Sequence, residues 1–77
     1  MPRLSRKLLG RVVLVRFWDH VENLPEPAMT EVVGWLVGYD RRELHICSWR
    51  YPDIEGTDDE THYRILRSTL EGMEILG

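Results

Sequence analysis

Apolar and polar positions alternate over residues 11–18, "RVVLVRFW". Val13, Val15 and Phe17 fall on one side of an extended chain, and Leu14, Arg16 and Trp18 on the other, which predicts a half-buried strand. The segment before it, "PRLSRKLLG", has a different rhythm. Leu4, Leu8 and Leu9 make one apolar stripe at helical spacing, Pro2 suits a first helical turn and Gly10 a stop, so a short N-terminal α-helix is expected over residues 2–10. Residues 19–29, "DHVENLPEPAM", read as a loop, because Pro25 and Pro27 each lack a ladder donor. The β-branched and aromatic run "TEVVGWLVGY" (30–39) predicts a second strand, with Gly34 and Gly38 marking a bend or bulge. "DRRE" turns the chain and "LHICSWRY" (44–51) is a third strand. After the acidic loop "PDIEGTDDE", a fourth strand is expected around 61–66 and a fifth around 72–76.

One short α-helix followed by about five strands makes residues 1–77 a single all-β domain, spaced as in a small five-stranded bent-sheet barrel or a sandwich, and the strand glycines supply the bend a barrel needs to close. A chain of 77 residues buries only about 60% of its unfolded surface, so such domains commonly lean on a disulfide, a metal or a partner copy. Cys47 is the only cysteine, which excludes an internal disulfide and points to self-association. It also suits a reducing cytoplasm, the expected location. No apolar run approaches the roughly 20 residues of a membrane span, and "MPRLSRKLLG" lacks the apolar stretch and cleavage site of a signal peptide.

The net charge of −3 argues against a general polyanion binder, but the charge is unevenly spread. Residues 1–18 carry Arg3, Arg6, Lys7, Arg11 and Arg16 and no acid, whereas residues 53–60 carry five acids and no base.

An ordered set of residues resembles the Sm-like family (Sm, LSm and Hfq proteins). "LSRKLLGRVVLVRF" is similar to that family's opening, a short helix running into a V-x-V strand. Val32, Gly34, Leu36, Gly38, Tyr39 and Asp40 match its first signature in order. One extra residue follows Asp40, after which Leu44 takes the Met/Leu position and His45 stands where the family has Asn. Of the second signature, Leu66 and Arg67 match, Ser68 replaces Gly, and Leu70 comes one residue early. The tail "ILRSTLEGMEIL" is also similar to small phage and prophage barrel proteins. The resemblance implies a ring of identical subunits, joined between the fourth strand of one and the fifth of the next, with single-stranded RNA at the inner rim. It nominates Arg41, Arg42 and His45 in one loop and Arg67 and Ser68 in the other, with Tyr39 and Asp40 supporting the first loop. Guanidinium planes and imidazoles stack on unpaired bases. The substitutions and the net negative charge favour the alternative, a structural or protein-interaction barrel without RNA.

Other chemistry fares worse. His45, Cys47 and His62 lack a fourth zinc ligand and any C-x-x-C or H-x-x-x-H spacing. As a Cys–His nucleophile pair they lack a recognisable oxyanion hole or cleft, and an apolar strand cysteine is usually a small core residue. No phosphate loop, cofactor fingerprint or small-molecule site is present, so no cofactor and no enzyme activity is expected. Trp35 and Trp49 are expected in the core or at an interface, and Trp18 against a partner.

Overall fold

The computed structural model describes residues 3–20, 23–49 and 61–77. Five strands form one antiparallel sheet: β1 (Val12–Asp19), β2 (Ala28–Tyr39), β3 (Glu43–Trp49), β4 (Thr61–Leu66) and β5 (Leu70–Ile75), in the order β4-β3-β2-β1-β5. The first and last strands of that order are β4 and β5, which do not pair with each other, so the sheet is open. The acidic loop 53–60 and the side chain of Trp49 lie outside the described residues.

The alternation expected for the first strand holds. Val13 faces Gly34 of β2 and Ile75 of β5, and Val15 faces Val32 and Met73. Leu36 and Ile46 face each other, as do Leu44 and Ile65. Val13, Val15, Leu36, Leu44 and Ile46 are fully buried and pack with Leu8, Ile65 and Met73 into one core. Burying a side chain of this kind contributes about 1.5–3 kcal/mol, and here all five strands supply at least one.

Bends let one sheet enclose that core. The β2–β3 register slips between Leu36 and Gly38, β1–β5 between Arg16 and Phe17, and β3–β4 between Cys47 and Trp49. An inserted residue kinks and twists a strand. The slip beside Gly38 meets the expectation of a bulge there. Gly34 serves a different purpose: a Cβ on it would lie 2.6 Å from the carbonyl oxygen of Cys47 and 2.7 Å from Cγ2 of Ile46. β3 crosses Gly34 too closely for any side chain.

The N-terminal α-helix is corrected to a single 3-10 turn over Arg6–Leu8. Ser5 is extended and its side chain makes no capping bond. The backbone instead joins the sheet, with Gly10 N–H donating to the Leu36 carbonyl and Leu36 N–H to that of Arg11. Two helical turns are too few to stand alone, and these bonds anchor the chain more firmly. Gly10 does end the turn, at φ 83°, and Leu8 fills the core while Leu9 is exposed. Three strands also begin earlier than expected, β2 at Ala28 directly after Pro27, β3 at Glu43 and β5 at Leu70. No helix among the described residues is long and apolar enough to cross a membrane.

Candidate functional site

The turn between β2 and β3 is built by its first residue. Asp40 Oδ1 accepts hydrogen bonds from the backbone N–H of Arg42 at 2.7 Å and of Glu43 at 2.9 Å, and Asp40 N–H donates to the Glu43 carbonyl at 3.0 Å. An Asp side chain replacing a backbone acceptor is a common way to close a turn. Those N–H bonds, that of Arg42 first, hold the Asp40 carboxyl below its ordinary value of 3.8. Desolvation opposes them, and the positive charges of Arg42 and Arg64 each add a lesser lowering. Tyr39, just before it, is half-buried against the core. Asp40 therefore closes the turn with its side chain, and Tyr39 packs against the core at its base.

The second nominated loop is the 3-10 turn Arg67–Thr69 between β4 and β5. Arg67 ties it to the first. Its N–H donates to the Arg42 carbonyl at 2.7 Å, and its Nη1 donates to the Asp40 carbonyl, also at 2.7 Å. Thr69 Oγ1 closes the turn on the Leu66 carbonyl at 2.6 Å. Asn23 is the one described non-glycine residue at positive φ, so Ser68 fits its turn without the freedom of glycine.

The two turns together expose Arg41, Arg42 and Ser68 around a shallow depression floored by Leu66. Among the described residues, neither Arg41 nor Arg42 has its side chain in an ion pair. The basic N-terminal segment reaches the same end of β2, through the Gly10–Leu36 bond, and leaves Arg3, Arg6 and Lys7 exposed. Arg16 points elsewhere, into ion pairs with Glu31 at 3.2 Å and Glu74 at 3.7 Å on the outer sheet face.

His45 does not join that depression. It lines a neighbouring one with Gly38, Tyr39, Asp40, Glu43 and Arg64, on the face of the sheet opposite the core. There its Nε2 lies 2.7 Å from Nδ1 of His62, with ring centroids 4.7 Å apart and planes tilted 51°. Arg64 Nη1 donates to Glu43 Oε1 at 3.0 Å beside the pair. Partial burial lowers the His45 pKa below 6.5. The charge of Arg64 and the proximity of His62 act the same way, and Glu43 acts oppositely. Sequence reading did not place Arg64 at a site, and it grouped His45 and His62 only with Cys47, as a zinc set it then rejected on spacing. Their meeting depends on the β3–β4 register, which sets His45 opposite Arg64 and Cys47 opposite His62. Cys47 itself is 2% exposed.

On the same outer face, Trp18, Met29, Val33 and Val37 are each between 40% and 48% exposed. Trp18 pairs with Met29 across β1 and β2, and its Nε1 donates to Glu71 at 3.1 Å. Comparison with family models, curated proteins and solved structures gives no match.

Proposed function

We propose that this chain is a non-enzymatic, Sm-like barrel subunit that assembles into a cyclic homo-oligomer and holds single-stranded RNA at the rim formed by its two latched turns. The observation that carries this reading is the Arg67 latch. It joins the turn between the neighbouring strands β2 and β3 to the turn between the two edge strands β4 and β5, and leaves two adjacent guanidinium groups exposed over one depression. Arg41 and Arg42 are the proposed contacts to bases and phosphates, Ser68 offers a hydroxyl to a base edge, and Arg67, with Asp40 and Tyr39, positions them. His45 is set aside from the RNA contacts, because it faces His62 in a separate depression.

Assembly is supported by the strand order. Among the described residues β4 and β5 each leave one edge unpaired, and an unpaired edge invites another strand. Closing β4 of one copy on β5 of the next leaves no free edge and repeats the rim around a ring. Light scattering is expected to give a multiple of 9.1 kDa, and a monomer at micromolar concentration refutes the ring.

Titration with short oligo-U and oligo-A RNA at two salt concentrations tests the site. Binding should weaken as salt rises, because phosphate contacts release counterions. Arg42→Ala should cost about 1–3 kcal/mol if its guanidinium stacks a base. Absence of binding at low salt ends the RNA reading, and unchanged affinity in Arg41→Ala and Arg42→Ala moves the site elsewhere.

The exposed Trp18, Met29, Val33 and Val37 favour a second reading, a barrel that serves protein contacts without RNA. Apolar side chains clustered on one exposed face are a mark of interaction surfaces. That reading gains if the ring forms and no RNA binds.

A further inference from the structure

The rim leaves the His45–His62 pair without a task. We propose that His45 Nε2 and His62 Nδ1 form a two-imidazole chelate for a divalent transition cation of the copper, nickel or zinc class. This does not depend on the RNA reading, since the two histidines lie outside the arginine depression.

Distance is the first argument. The two ring nitrogens are 2.7 Å apart. Two imidazoles bound to one metal at about 2.0–2.1 Å place their nitrogens about 2.9 Å apart at a right angle and about 3.3 Å apart at a tetrahedral angle. A small opening of the pair therefore admits a cation between the rings. The second argument is rigidity. His45 and His62 stand on hydrogen-bonded strands of fixed register. Leu44 and Ile46 flank His45 and are fully buried, and Ile65 of β4 is 3% exposed. The core thus holds the strand backbones that carry both rings.

Protonation is also suitable. A metal takes neutral imidazole, and the neutral form of His45 is favoured by its partial burial and by the adjacent Arg64. In the neutral pair one ring donates its N–H to the other. When the cation enters, that hydrogen moves to the outward nitrogen of the same ring, and no proton need be lost. Arg64 repels a cation, but its guanidinium is engaged by Glu43 at 3.0 Å. Among the described residues no group of three or more His, Cys, Asp or Glu converges on a metal position. The chelate therefore supplies two ligands, and water or an outside donor fills the rest. This differs from the four-ligand structural zinc site that the sequence spacing excludes. With only two imidazoles to bind it, Cu(II) should be preferred over Ni(II) and Zn(II), following the general order of divalent affinities.

The test is titration of the metal-free full chain with Cu(II) and Zn(II), followed by calorimetry and by thermal unfolding. Wild type should take up one equivalent per chain, more weakly as pH falls through the imidazole range because protons compete. His62→Ala should lose affinity by about tenfold or more, since the second ligand acts at a high effective concentration. His62→Gln, at the same exposed edge position, should do the same, and circular dichroism of both variants checks the fold. The metal should raise the melting temperature of wild type and of His20→Ala by more than that of His62→Ala, because stabilisation follows the affinity of the native state. Equal affinity in wild type and both His62 variants overturns the proposal. So does uptake that is lost in His20→Ala instead, or wild-type binding no tighter than that of the double variant His45→Gln, His62→Gln.

Discussion

Gly34→Ala tests the way the sheet closes on its core. The added methyl would lie 2.6 Å from the Cys47 carbonyl oxygen, 2.7 Å from Ile46 Cγ2 and 3.0 Å from the Cys47 carbonyl carbon. Two of these atoms are backbone, so a rotamer change does not relieve the contact. Either β3 moves away from β2 by several tenths of an ångström, or the bonds near Leu36–Ile46 and Trp35–Cys47 stretch. Overpacking a filled core costs about 1–3 kcal/mol, and each weakened ladder bond adds up to about 1 kcal/mol. Stiffening of the unfolded chain returns about 0.4–1 kcal/mol. The net expectation is a loss of about 2–3 kcal/mol. For a domain this small, that lowers the melting temperature by about 10–20 °C.

Two other glycines serve as controls. A Cβ at Gly38 meets only His45 Cβ at 3.8 Å, and one at Gly72 meets nothing within 4 Å. Gly38→Ala and Gly72→Ala should be neutral or slightly stabilising. The assay is thermal and urea unfolding of the three variants beside wild type, at matched concentration because assembly adds to apparent stability. If Gly34→Ala melts within 2–3 °C of Gly72→Ala (about 0.5 kcal/mol), the close approach of β3 is wrong and the argument for a tightly bent sheet goes with it.

Acid unfolding should depend on Asp40. Its folded pKa lies below the ordinary 3.8, so its contribution is present above that value and is lost as pH falls through the folded one. Asp40→Asn should be less stable than wild type at neutral pH and should lose less stability on acidification below about pH 4; parallel acid profiles would refute this. Arg67→Ala removes the bond to the Asp40 carbonyl and should destabilise by about 0.5–1.5 kcal/mol. It should also speed hydrogen exchange at Arg42 and Glu43, and Arg67→Lys should restore little of the planar donor geometry. Unaltered exchange in Arg67→Ala would mean that the first turn holds its shape without the Arg67 side chain.

Local patterns announced much of this molecule because their causes are local. Val13, Val15 and Phe17 share a face by the pleat of one strand, and the chain needs no neighbour to set that alternation. Asp40 closes a turn with N–H groups two and three residues ahead, so the "GYDRRE" stretch foretold its own geometry. The same local reading misled at residues 2–10. The leucine spacing there fits a helix, but the backbone of Gly10 and Arg11 bonds to Leu36, and that long-range pairing outweighs two turns of helix. Strand neighbours were beyond sequence pattern for the same reason. Nothing in "LEGMEI" says that it lies beside β1, and nothing in "THYRIL" says which of its residues faces His45. The β3–β4 register, with a slip between Cys47 and Trp49, brings His62 to His45, and the return of the chain after β4 brings Arg67 to Asp40. Contacts between residues far apart in sequence depend on which strands pair and where the register slips. Those choices are made by the packing of the whole sheet around Leu36, Leu44 and Ile46.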